Sequence, residues 1–340
     1  MAPKSKPTII DVARVAGVSV TTVSRVLNGG KYVSPDKLAA VQEAFDKLDY
    51  QPNLHARSLA GERAYLIGLL FDDPRGDYLS GMQRGTLLAG QKADYHVLVE
   101  LLGRTGTLAQ MKRLISRVRL SGVILTPPVC DHTSLLNTLV RHHIPAVRIS
   151  PSSDFPGIPS VKIDDYAAAT EMTRHLITLG HRKIGFIIGD PEHADARERQ
   201  RAFNDALAKA GLEAKPEWVA EGGYQFSGGL TAARKILSQP DRPTAIFASN
   251  DDMAAAVIAV ADEMGLRVPA DLSVSGFDDT SLASAVSPAL TTIRQPVEQM
   301  AMKAVEILLE RISGEKPETE TPVMMGTKFV RRGSTGPAPQ

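Results

Sequence analysis

Residues 8–28 read TIIDVARVAGVSVTTVSRVLN, and this stretch decides the fold of the amino-terminal end. Thr8 can cap a helix, and Asp11 suits its electropositive first turn. Ile9, Val12, Ala13 and Ala16 then fall at i, i+3, i+4 and i+7, the stripe of one buried helix face. Gly17 breaks this helix in a tight turn, Val18 plugs it, and Ser19 can cap a second helix. There Val23, Val26 and Leu27 point inward, while Val20, Thr21, Ser24, Arg25 and Asn28 form the opposite face. Gly29-Gly30 ends it. Ser34-Pro35 opens a third helix that buries Leu38, Val41, Phe45 and Leu48. Three short helices with a glycine turn between the first two make a helix-turn-helix, whose second helix enters a major groove. Arg25 can pair with guanine O6 and N7, Val20 can meet a thymine methyl, and Thr21 or Ser24 can bond a base edge or phosphate. The alternative is a three-helix protein-interaction module with an incidentally exposed Arg25.

The charge distribution favours the first reading. Net charge over 340 residues is only +1. Residues 1–63, however, hold nine Lys/Arg against six Asp/Glu, a balance of +3, which leaves −2 on the rest. A small basic head on a neutral body fits a nucleic-acid binder, although such an excess is also common on solvated surfaces. After the head, Asn53 can cap a short helix running to Gly61. It is too short to be stable alone in water, so it forms only where DNA and a partner copy hold it. An inert linker is the alternative.

From Tyr65 onward short apolar strands alternate with amphipathic helices. Strands are expected at 65–71, 95–100, 122–125, 146–149, 184–188, 245–248 and 273–276, and helices at 79–93, 167–179, 199–210, 230–237 and 253–264. This alternation means parallel sheets covered by helices. Roughly 270 residues of it suggest two lobes rather than one sheet. A late helix over 297–312 and a strand near 323–329 indicate that the chain recrosses between the lobes. Ligands of open parallel sheets bind beyond the carboxyl ends of the strands. Asp72-Asp73, Asp190, Asn250-Asp251 and Asp278-Asp279 all stand there, and Tyr78, Tyr224 or Phe226 can cover the apolar face of a sugar. Any one of these carboxylates or amides can equally be a helix cap. Several converging on one cleft favour a ligand site.

The words of the sequence sharpen this. Asp11-Val12-Ala13, Ala16-Gly17-Val18-Ser19 and Thr22-Val23-Ser24-Arg25-Val26-Leu27-Asn28 closely resemble the signature of the lactose/galactose repressor family. The likeness continues through Val33-Ser34, Leu48-Asp49-Tyr50-Gln51-Pro52-Asn53 and the hinge-like Ala56-Arg57-Ser58-Leu59-Ala60-Gly61. It goes on through Leu179-Gly180-His181-Arg182-Lys183-Ile184-Gly185-Phe186, Ser249-Asn250-Asp251, Gly276-Phe277-Asp278-Asp279 and Leu290-Thr291-Thr292-Ile293-Arg294-Gln295-Pro296. It thus covers about residues 8 to 333. The resemblance implies an all-α helix-turn-helix head with a hinge helix, joined to an α/β two-lobe body like that of periplasmic binding proteins. The head is expected at 1–49, the hinge at 50–63 and the body at 64–340. Its first lobe is placed at about 64–161 plus 293–320, and its second at about 162–292 plus 321–333. The resemblance further implies a cytoplasmic homodimer on a double-stranded DNA operator, with a sugar or related metabolite as effector and no membrane partner. Val20, Thr21 and Arg25 would read bases, and Leu59 would wedge into the operator's central step. The expected DNA contacts are Thr8, Ser19, Val20, Thr21, Thr22, Ser24, Arg25, Asn28, Asn53, Ala56, Arg57 and Leu59. The expected effector contacts are Asp73, Tyr78, Asp164, Arg199, Phe226, Asn250 and Asp278.

Three departures bear on the ligand. Ala202 replaces the usual glycine after Arg199, Asp165 stands where the family usually has Asn, and the segment 71–78 is more acidic than usual. The Gly, Pro and Ser-rich tail after Arg332 carries no leucine heptad, so a dimer is expected rather than a tetramer.

Other function classes find little support. Cys130 is the only cysteine, which excludes a disulfide framework and a zinc cluster. No apolar run approaches the roughly 20 residues that span a bilayer, and no apolar core of a signal peptide follows the first lysines. There is no nucleophile elbow, phosphate loop, HExxH or dinucleotide fingerprint, and His142-His143 diverge on a helix. His181 follows a helix-ending glycine and reads as a terminal or surface residue. No cofactor and no enzyme activity are expected, although cleft carboxylates leave a glycosidase as a remote reading. The runner-up is a transport-type sugar-binding protein, which would need an export signal and no helix-turn-helix.

Overall fold

A computed structural model describes residues 7–27, 33–50, 65–72, 76–102, 108–114, 118–314 and 321–339. It divides into two compact units, Met1–Tyr65 and Leu66–Gln340.

Among the described residues the first unit holds three helices, α1 (Ile9–Ala16), α2 (Val20–Leu27) and α3 (Pro35–Leu48). Thr8 and Asp11 form a reciprocal capping box at the start of α1, and Gly17 closes it at φ 66°, a left-handed conformation that suits glycine. Ser19 accepts a hydrogen bond from the Thr22 amide at 3.2 Å, which starts α2. Val12, Ala13, Val23, Val41 and Ala44 make the small core, with Val26, Leu27, Phe45 and Leu48 packed around it. Leu38, expected inside, is 41% exposed because it lies on the first turn of α3, beyond the reach of α1 and α2.

The second unit is a two-lobe α/β body. Strands β1 (Leu66–Phe71), β2 (His96–Leu101), β3 (Gly122–Leu125), β4 (Ala146–Ile149) and β5 (Ser160–Ile163) form a parallel sheet in the order β5-β4-β3-β1-β2, which a late strand extends beyond β5. Helices α4 (Asp77–Lys92), α5 (Leu108–Arg113) and α6 (Thr133–Arg141) connect them. The chain then builds the second lobe. Helix α7 (Asp165–Thr178) leads to β6 (Ile184–Ile188), α8 (Ala194–Lys209), β7 (Val219–Glu221), α9 (Phe226–Leu237), β8 (Ala245–Ala248), α10 (Asp251–Glu263), β9 (Ser273–Ser275) and α11 (Ser281–Ala285). Its parallel sheet runs β7-β6-β8-β9.

The chain recrosses through β10 (Thr292–Arg294) to α12 (Val297–Ser313), which packs against α4, β3, β4 and β5. The expected single strand near 323–329 is two short ones, β11 (Val323–Met325) and β12 (Lys328–Val330). β11 pairs with β5 in the first sheet, whereas β12 pairs antiparallel with β10. Residues 321–325 therefore belong to the first lobe, not to the second as expected, and β5 runs across the expected boundary at 161. The reason is the free edge of β5, whose unpaired backbone groups take another strand. One apolar cluster joins the lobes, running from Ile67 and Leu69 through Val305 and Leu308 to Phe186, Phe203, Phe247 and Phe277.

The tail is also built in. Ser334 Oγ accepts from the Thr291 amide at 2.8 Å and donates to the Val274 carbonyl at 2.6 Å. His181, read as a terminal-turn or surface residue, lies in the turn after α7 and is fully buried there. Its Nε2 lies 3.1 Å from the Gly336 carbonyl and 3.0 Å from Ser273 Oγ, and its Nδ1 lies 2.9 Å from Thr244 Oγ1.

Candidate functional site

On the head, α2 presents Val20, Thr21 and Arg25 to solvent, and the capping residues Thr8 and Ser19 are exposed beside them. Thr22 and Ser24 are half-buried, and Thr22 Oγ1 is 2.9 Å from Ser19 Oγ. Val20 is 42% exposed beside Arg25 on the outer face of α2. Asn28, Asn53, Ala56, Arg57 and Leu59 lie outside the described residues.

In the body, the strand ends bring the second group of residues together around Arg199. This side chain is 2% exposed and lies on the inner face of α8. Its Nε donates to Asp165 Oδ1 at 2.9 Å, its Nη1 to the Ser249 carbonyl at 2.6 Å, and its Nη2 lies 2.8 Å from Asp165 and 3.5 Å from Asp195. The guanidinium stacks 3.7 Å from the centroid of Phe277 and 6.0 Å from that of Tyr224. Burial alone would lower its pKa, but Asp165, Tyr224, Asp195 and Asp278 outweigh that and push it upward.

Asp278 follows β9 at a positive φ of 112° and is nearly buried. Its Oδ1 accepts from Gln295 at 2.6 Å. Burial pushes this carboxyl well above its ordinary range; Arg199 pulls it down and Asp251 pushes it up. Asn250 spends both ends of its amide on structure. Oδ1 caps α10 by accepting from the Met253 amide at 3.0 Å, and Nδ2 donates to the Tyr224 carbonyl at 3.0 Å. The first lobe supplies Tyr78, half-buried in the first turn of α4. Its hydroxyl hydrogen-bonds Ser150, and its pKa is raised by burial, then by Asp195 and Asp278. Asp77, next to it, hydrogen-bonds Ser281 of the second lobe.

Several expectations need adjustment. Asp164 is the exposed cap of α7, accepting from the Ala167 amide at 2.8 Å, while its neighbour Asp165 carries the buried contact to Arg199. Phe226 is 44% exposed at the start of α9, and Tyr224 turns inward instead. The Tyr224 ring lies flat against Gly189, where a Cβ would meet it at 2.1 Å, and its hydroxyl oxygen is buried without a hydrogen-bond partner. Asp73 lies outside the described residues. The paired acids divide their labour. Asp251 is sealed in the fold, accepting from Thr280 N at 2.8 Å and Thr292 Oγ1 at 2.7 Å. Asp279 holds Arg294 and Arg332. Asp195 was missed: nothing in its local pattern separates it from an ordinary first-turn acid of α8.

Two family models match the chain, one for bacterial regulatory proteins of the lacI family over residues 8–53 and one for a periplasmic binding protein-like domain over 173–335. An HTH-type transcriptional repressor, PurR of Photobacterium profundum, is 35% identical over 329 residues, covering 96% of this chain and 98% of that protein. The chain belongs to the lacI family of bacterial regulatory proteins. Among solved LacI-family structures, the lac repressor dimer bound to operator and the anti-inducer ONPF superposes with a TM-score of 0.84 at 29% identity, covering 98% of this chain and all of that one. A complex of the regulator CelR with cellobiose has a TM-score of 0.71 at 29% identity over 96% and 99% of the two chains. This LacI-family chain is a DNA-binding, ligand-responsive transcription regulator and not an enzyme. Among the described residues no helix is long and apolar enough to cross a membrane, and no cluster of His, Cys, Asp and Glu could hold a metal ion.

Proposed function

We propose that the protein is a cytoplasmic repressor that binds a palindromic operator as a dimer and responds to a carbohydrate-like effector held between the lobes. The observation that carries this reading is the cluster of Arg199, Asp278, Asn250 and Tyr224 at the carboxyl ends of the second sheet, faced by Tyr78 of the first lobe. Carboxylates and amides that bond hydroxyls, with aromatic rings beside them, suit a sugar. Val20, Thr21 and Arg25 read base edges, Thr8, Ser19, Thr22, Ser24 and Asn28 support them, and Asn53, Ala56, Arg57 and Leu59 form the hinge contacts. The effector changes the angle between the lobes and so the spacing of the two hinges, which form helix only when close together. In this reading effector binding releases DNA.

The test is an anisotropy titration of the full chain on an operator selected from random DNA, followed by a screen of sugars for release. Arg25→Ala should cost about 1–3 kcal/mol on the operator and relax preference at one base pair per half-site. Equal loss on random DNA would assign Arg25 to phosphate contact instead. No release by any sugar, with operator binding intact, would overturn the effector class.

A further inference from the structure

We infer that the effector site rejects anions, and that Asp195 is the residue that sets this specificity. The inference rests on the effector site proposed above and adds the charge class of its ligand. Three carboxylates, Asp165, Asp195 and Asp278, gather around a single guanidinium. Arg199 is the arginine that contacts them among the described residues, with His193 Nδ1 3.9 Å from Asp195. The Arg199 Nε and Nη2 are turned to Asp165 and its Nη1 to the Ser249 carbonyl, and Phe277 covers its face. A phosphate or carboxylate entering here would meet uncompensated negative charge and no free guanidinium fork.

The groups still able to engage a ligand suit hydroxyls. Tyr224 offers a buried hydroxyl without a partner, and the same three aspartates act on it, Asp195 foremost. Asp195 is also the first charged group felt by Tyr78 from the opposite lobe. One carboxylate oxygen accepts from the Ala196 amide at 2.9 Å, and the other lies 3.5 Å from Arg199, too long for a good hydrogen bond. That second oxygen can accept from a ligand hydroxyl and repel a ligand oxyanion. The site thus takes an uncharged polyhydroxylated molecule and excludes its phosphorylated or carboxylated derivatives by repulsion.

Matched pairs test this on the full-length protein: cellobiose with cellobiose 6-phosphate, glucose with glucose 6-phosphate and gluconate, and adenosine with adenosine monophosphate. Thermal midpoint shifts and operator release read binding. Glucosamine extends the first series to a cation. In whichever series binds, the neutral member should bind about tenfold or more tightly than the anion. Asp195→Asn, which keeps the shape and removes the charge, should shrink that ratio by a similar factor. Glu198→Gln, half-buried beside Arg199 in sequence but paired with Arg201 instead, should leave the ratio alone. Tighter binding of an anion by wild type, an unchanged ratio in Asp195→Asn, or a preference for glucosamine above every neutral sugar would each overturn the inference while leaving the effector site standing. Binding in the nucleoside series alone would sink the carbohydrate reading but still test the charge rule. No binding in any series would overturn both. The ligand-free midpoint of Asp195→Asn separates loss of fold from loss of discrimination.

Discussion

Arg199 leaves water with five N–H groups, and the fold turns its Nε and Nη2 to Asp165 and its Nη1 to the Ser249 carbonyl. Removing one partner of such a pair leaves the other buried and uncompensated, which is worse than never having built it. Arg199→Ala should therefore cost about 3–5 kcal/mol of stability as well as effector response, from stranding Asp165. Asp278→Asn should abolish effector response with a near-normal melting curve and intact operator binding. Chemical denaturation and operator titration of the two variants check this: equal stabilities would remove Arg199 from its structural role. A second consequence concerns pH. Burial raises Asp165 to about 6 and Asp251 to about 7, from an ordinary 3.8. Carboxyls shifted upward bind their protons more tightly in the native state, so the stability they contribute is present at low pH and is lost as pH rises through about 6 to 7. Asp251→Asn should accordingly flatten the fall in thermal midpoint between about pH 5 and about pH 8. A slope equal to that of wild type would show that Asp251 does not titrate there. At this scale the sequence was partly legible. Arg199 and Asp278, expected as effector contacts, are buried, whereas Asp164 and Phe226 are exposed and Asp165 and Tyr224 turn inward in their place. Which of two neighbours turns inward depends on helix phase and on a positive φ of 62° at Tyr224, and neither is written in residue type.

The elements follow from hydrophobic period, and where period is strong the reading is accurate. Strands at 122–125, 146–149, 184–188 and 245–248 match the sequence expectation to the residue. The helices of the second lobe begin earlier than their apolar stripes suggest. Helix α8 starts at Ala194 rather than Arg199, and α9 at Phe226 rather than Leu230, because first turns are polar and carry no stripe. Strands β5 and β7 were not among the expected strands. The contact between α4 and α12 shows what period cannot reveal. Gly85 lets the two helices approach so closely that a Cβ would come within 2.2 Å of the Glu298 carbonyl and 2.8 Å of the Ala301 methyl. Gly85→Ala should force the helices apart and cost about 1–3 kcal/mol, against the gain in helix propensity that alanine brings at an open position. A stabilised variant in urea denaturation would contradict the close packing.

At the scale of the whole molecule, regulation requires that the ligand end and the DNA end communicate. The residues assigned to that task, among them Asn53, Ala56, Arg57 and Leu59, were read from sequence alone. Leu59→Ala should weaken operator binding and reduce DNA bending while leaving effector affinity unchanged, since a leucine wedge exchanges base unstacking for a bent duplex with more contacts. Circular-permutation bending assays decide it, and equal bend angles with equal affinities would leave Leu59 an inert linker residue. The tail carries a different kind of consequence. Residues 333–340 look expendable, yet Ser334 and Thr335 are buried, and Gly336 supplies the carbonyl that His181 and Ser273 both engage. A nonsense codon at position 333 would delete eight residues and withdraw those partners from the centre of the second lobe. In a selection for mutants that express the controlled genes constitutively, such late stop codons should be recovered beside lesions in the DNA-reading helix. A reporter fused directly after Arg332 would produce the same phenotype without altering any residue that touches DNA or effector.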